Sequence, residues 1–144
     1  MNAQEVIGKV HERYKARMIA LIRLISAKFV EDGWVLRGDV QDHTDVTYAY
    51  IQIMRHPERS DPKVGAPAGI IVEIVEAVQC DGEPADGINF RVDIGDEQGH
   101  QIDFQPYNFT PQVWVHARNA KAVEARFRVI EGFDYSNIAR ELYR

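Results

Sequence analysis

Between residues 3 and 30, apolar side chains recur at steps of three and four: Ile7, Val10, Tyr14, Met18, Leu21, Ile25 and Phe29. Lys9, Glu12, Arg13 and Arg23 stand between them, and no proline interrupts the run. That spacing is the period of an amphipathic helix. Ile19, Ile22 and Leu24 widen the stripe in its C-terminal half, which predicts burial on two sides, against a sheet and a second helix. Gly33 is placed to end the helix as a left-handed cap.

From Trp34 the period shortens, and residues 34–106 read as strands. Trp34–Arg37 is short. In Val46–Arg55, Val46, Tyr48, Tyr50 and Met54 share one face and Thr47, Ala49, Ile51 and Ile53 the other. Both faces are largely apolar, which predicts a central strand covered on both sides, or a homodimer surface. Gly69–Gln79 is rich in β-branched residues and reads as the third strand. Asn89–Ile94 and Gln101–Phe104 form a hairpin around Asp96-Glu97-Gln98-Gly99, whose Asp and Gly suit a type I turn. A bulged closure sets Ile94 against Ile102 and Val92 against Phe104. Asp93 then faces Asp103, with Arg91 on the same face as a counter-charge. The segment His56–Pro67 holds three prolines and reads as a loop within the sheet.

The helical period returns at the C-terminus. Ala120, Val123, Phe127 and Ile130 share a face, Gly132 stops the segment, and Asp134 caps a last helix bearing Tyr135, Ile138, Ala139 and Leu142. Pro111–Arg118 carries two signals. Thr110-Pro111 suits a helix start, whereas Val113-Trp114-Val115 alternates like a sixth strand, and the balance tips toward helix. Strands clustered between terminal helices predict a single α+β domain over residues 1–144. It has a long N-terminal helix, an antiparallel sheet of five or six strands, and C-terminal helices packed on one face.

Charge sharpens this picture. Residues 1–30 carry six bases and two acids, residues 31–117 five bases and sixteen acids, and residues 118–144 six bases and four acids. The segment nets are +4, −11 and +2, which sum to the overall −5. An acidic sheet between basic helices repels nucleic acid and membranes and attracts basic partners. The bases of the helices lack the interleaved aromatics of a single-strand-binding platform. Met18–Ile25, the most apolar run, is broken by Arg23 and too short to span a bilayer. The N-terminus lacks a signal-peptide layout, and Cys80 is the sole cysteine, so a cytoplasmic setting without internal disulfides is expected.

Candidate chemistry is sparse. No two histidines (His11, His43, His56, His100, His116) stand at a zinc-type spacing, and no serine sits in a nucleophile turn. Cys80 lies beside Asp81 and Glu83, which disfavour a thiolate. Glu76 shares a strand face with Ile70, Val72 and Ile74, where burial would raise its pKa toward that of a general base. A simple meander gathers two acidic loops at one sheet end: Asp39, Asp42, His43 and Asp45 with Asp81, Glu83 and Asp86. These residues predict docking of a basic protein surface by a non-catalytic binding protein, with no cofactor. A small-ligand pocket between sheet and helix, lined by Tyr48, Tyr50, Phe90, Phe104 and Trp114, is the second expectation. A metal-dependent enzyme using the acidic oxygens is the third; the spacing matches no calcium loop, so no metal ligand is assigned.

Overall fold

In the computed structural model, Ala3–Val30 is one unbroken helix, α1, over the span its apolar period marks. The structure describes residues 3–44, 47–63, 66–79, 87–98, 100, 102, 115, 116 and 119–144. Met18, Leu21, Ile22, Ile25 and Phe29 of α1 are buried, and Tyr14 and Ile19 pack against the same core. Leu24 departs from the widened stripe: it is 40% exposed and outside the core. The C-terminal half of α1 does meet two layers, packing on the sheet and on the last helix.

Six strands follow among the described residues: β1 (Val35–Leu36), β2 (Gln41–Thr44), β3 (Thr47–Asp61), β4 (Ala66–Gln79), β5 (Gly87–Asp96) and β6 (Val115–His116). All pairings are antiparallel, in the order β1-β3-β4-β5-β6, with β2 also paired to β3. Helices α2 (Ala120–Glu131) and α3 (Tyr135–Glu141) complete the α+β fold. One sheet face carries Tyr50, Met54, Ile70, Val72, Ile74, Phe90, Val92 and Ile94, all buried in a core shared with α1, α2 and α3. On the other face Ala49 and Val75 are buried, while Ile51 and Ile53 are only half-buried.

Three segments differ from the sequence reading. The proline-rich stretch 56–67 is mostly strand: pairing runs from Thr47 opposite Ala77 to His56 opposite Ala68, then resumes at Ser60 opposite Pro67. Pro57 falls in the bulge between His56 and Ser60 and Pro62 in the turn, where no ladder donor is required. Residues 41–44 form β2 rather than a loop. Val115 and His116 pair with Ile88 and Gly87, so the described part of 111–118 is strand, not helix. The helix starts later because Asn119 caps it, its side chain accepting from the Ala122 N–H at 3.1 Å. The 96–100 hairpin matches expectation. Asp96 N–H donates to His100 O at 2.8 Å and Ile102 N–H to Ile94 O at 2.9 Å, which sets Ile94 against Ile102. Arg91 Nε reaches Asp93 at 3.0 Å, supplying the counter-charge; Asp103 and Phe104 lie outside the described residues.

The end of α1 is a Schellman cap. Gly33 (φ +92°) donates to Val30 O and Trp34 N–H donates to Phe29 O, while the Phe29 and Trp34 rings meet at 5.8 Å. Trp34 is buried, and its Nε1–H donates to Ala139 O of α3 at 2.9 Å. The His56 ring stands edge-on to Trp34 at 5.3 Å. From the bulge, Arg59 donates to Ala139 O and Leu142 O at 2.7 and 3.0 Å. Helix α2 is held separately. Arg17 of α1 grips Glu124 at 2.7 and 2.9 Å and Glu131 at 3.2 Å, and its guanidinium lies 4.8 Å from the Phe127 ring centre. Buried Arg126 donates twice to Phe90 O, at 2.8 and 3.0 Å.

Two glycines with positive φ separate strain from crowding. A Cβ at Gly33 would lie 2.9 Å from His56 Nε2, whereas at Gly38 (φ +77°) it would meet nothing within 4 Å. Both Gly33→Ala and Gly38→Ala should lose about 1–2 kcal/mol to the left-handed backbone. Gly33→Ala should lose measurably more, because His56 must move. Urea unfolding checks this, and equal losses would show that the His56 contact contributes nothing.

Candidate interaction surface

Asp39 and Asp42 are both exposed. Asp42 lies in β2 opposite Tyr50, and His43 lies opposite Ala49; the side chain of His43 is outside the described residues. These acids therefore line a sheet edge instead of a loop tip. Gly38 bends the chain after β1, and β2 then pairs with the same side of β3 that β1 uses. Gln52 fastens the bend from beneath, its Nε2 donating to Gly38 O at 3.0 Å. Asp39 sits beside this bend, toward the middle of the edge.

Asp45, Asp81, Glu83 and Asp86 lie outside the described residues, but the strand ends that carry them are described. Thr44 pairs near Tyr48, Thr47 faces Ala77, and Gln79 faces Gly87. The β2–β3 and β4–β5 connections thus leave the same end of the sheet.

The pocket residues divide. Tyr50 and Phe90 share the helix-facing side, but both are buried in packed core. Phe90 meets Phe127 at 4.5 Å and Tyr14 at 5.4 Å between ring centres. The backbones of Tyr48 and Glu76 pair on that same face, while their side chains, and all of Phe104 and Trp114, lie outside the described residues.

The opposite sheet end holds a cleft that sequence reading missed. A cavity of about 510 Å3 is lined by Asp32, His56, Glu58, Arg59, Tyr143 and Arg144. His56 Nε2–H donates to Asp32 O at 2.8 Å and Nδ1 accepts from the Glu58 N–H at 3.2 Å, so both ring nitrogens are engaged by backbone groups. Buried Asp61 and Asp96 flank Tyr143. Burial pushes the Tyr143 phenol up to about 12, reinforced by Asp61, Asp96 and Glu97. Burial would also raise Asp96, but the N–H groups of His100 and Gln98, with the nearby charges of His100 and Lys63, hold it below its ordinary value. On the outer face, Glu97 lies across Gly69, leaving no room for a Cβ, and pairs with Arg55. These groups become neighbours only through the β3–β4–β5 pairing, and no spacing in the chain signals them.

Among the described residues no three His, Cys, Asp or Glu side chains are grouped to hold a metal ion. Ser26 donates its hydroxyl to Ile22 O at 2.7 Å within α1. No helix among the described residues is long and apolar enough to cross a membrane. No family model, curated protein or solved structure matches this chain.

One buried group is at odds with its surroundings. Asn89 is fully buried on β5, and neither Oδ1 nor Nδ2 has a hydrogen-bond partner among the described residues. An unmet buried amide costs about 1–3 kcal/mol. Asn89→Leu should therefore raise the urea midpoint, and a lower midpoint would show that the amide is satisfied in solution. Tyr143 generates a second expectation. Because folding favours its neutral phenol, its contribution is complete below pH 10 and is lost as pH rises toward about 12. Tyr143→Phe should flatten the alkaline fall in stability over that window, followed as urea midpoint against pH; an unchanged slope would remove Tyr143 from the effect.

Proposed function

We propose that this is a non-catalytic, cytoplasmic binding protein that docks a basic surface of a partner protein. Asp39, Asp42 and His43 on the β1–β2 edge, with Asp45, Asp81, Glu83 and Asp86 from the adjoining connections, form the receiving surface. The observation that carries this reading is the register, which brings the two acidic connections out of one sheet end. The exposure of Asp39 and Asp42 supports it, since neither has an ion-pair partner among the described residues. The bases of the terminal helices are partly consumed within the fold: Arg17 by Glu124 and Glu131, Arg126 by the Phe90 carbonyl. The acidic surface is then left to act outward. Charge of one sign along an edge speeds encounter with a basic partner and selects against acidic ones.

Affinity capture with the Asp42→Lys, Asp81→Lys double variant tests the reading against the unaltered chain. Proteins held by the unaltered chain and released by moderate salt should be lost from the variant, which should itself remain folded. Retention of the same proteins by both would sink the proposal.

A further inference from the structure

The partner's mode of attachment follows from the backbone of the same edge, and this inference rests on the acidic-surface reading above. We propose that β1 and β2 receive, as an added strand, an extended partner segment that carries an apolar residue and, four residues along on the same face, a lysine or arginine.

Val35 pairs with Arg55, and Arg37 N–H donates to Ile53 O at 2.8 Å. In an antiparallel ladder alternate residues bond to opposite sides, so Leu36, lying between them, turns its N–H and C=O away from β3. Among the described residues no strand pairs on that side. The edge is also apolar where an isolated protein would guard it: Val35 is 55% and Leu36 44% exposed. Natural edges are commonly blunted by lysine, proline or a covering element, and residues 35–44 contain neither lysine nor proline.

Charge chooses the occupant. Residues 31–45 carry five acids against a single base, Arg37. Leu36 faces the helix side of the sheet beside Met54, and Asp42 faces the same side beside Tyr50. Met54 and Tyr50 are four residues apart on β3, so an added strand meets an apolar position and then an acidic one on a single face, which an apolar and a basic side chain four residues apart can match. A second copy of this chain fits worse, since edge-to-edge pairing would bring Asp39 and Asp42 against another acidic edge.

The probe is a fluorescein-labelled ten-residue peptide with valine at position 6, lysine at positions 2 and 10 and threonine elsewhere, so that valine and lysine stand four apart on one face in either strand direction. It is compared with the same peptide N-methylated at alternate amides and with the peptide in which glutamate replaces both lysines. The lysine peptide should bind, and N-methylation should weaken it at least tenfold because the ladder donors are gone. The glutamate peptide should not bind. Leu36→Pro should weaken binding similarly, since it removes an outward donor while leaving the inward bonds of Val35 and Arg37. Should Leu36→Pro fail to fold, the N-methylated peptide still decides. Undiminished binding of the methylated peptide overturns strand addition yet leaves the acidic surface intact. Absence of lysine-peptide binding also overturns it, as does self-association in sedimentation that Leu36→Pro abolishes, which would make the occupant a second copy. Loss of discrimination in the capture experiment would instead remove the underlying acidic-surface reading.

Discussion

The joint around Trp34 is the contact on which the rest of the fold depends. The indole is buried beneath the Schellman cap of α1, touches Phe29 of that helix and His56 of the β3 bulge, and donates to Ala139 of α3. A helix end, a strand irregularity and a second helix are thereby fixed by one side chain. Its polar atom is as well served as its apolar surface, which is the condition for burying tryptophan without penalty. Arg59 braces the joint by taking the same Ala139 carbonyl together with Leu142 O, and so keeps the C-terminus over the sheet.

Because the joint occupies one end of the sheet, the two ends differ in character. At the bulge end, Asp61 and Asp96 are buried and supplied with backbone donors, while Glu97 is matched by Arg55. Acidic groups there serve the fold. Along the β1–β2 edge, Asp39 and Asp42 are exposed and have no described ion-pair partner. These described acids of the −11 segment thus fall into two populations, Asp61, Asp96 and Glu97 spent within the structure and Asp39 and Asp42 facing out. In the proposed reading, only the second bears on recognition. The bases of α1 and α2 show the same division: Arg17 joins the two helices, and its proton is held more firmly by Glu124 and then Glu131. Arg126 is buried against the sheet, where desolvation pulls its pKa down.

The edge strand explains why the acidic loop of the sequence reading became a different object. Aspartate and glycine are poor strand formers, so residues 38–45 read locally as a turn. Pairing to β3 overrides that preference, and an edge tolerates it because Asp42 keeps its side chain in water. The same override acts at 56–61, where a bulge absorbs Pro57 and the ladder resumes beyond it. Local propensity marked both segments as breaks; neighbouring strands made them ladder.

What the chain settled by itself is its strong periodicities. The extent of α1, the Gly33 stop, the buried faces of α2 and α3 and the Ile94–Ile102 pairing all follow from interactions a few residues apart. Such interactions depend on residue spacing alone, so the sequence displays them directly. Tertiary structure decided what depends on distant partners: the β2 edge, the β3 bulge, the carboxylates gathered around Tyr143, and the burial of Arg126. Strand register and helix docking create those neighbourhoods, and no local pattern encodes which distant strand will arrive.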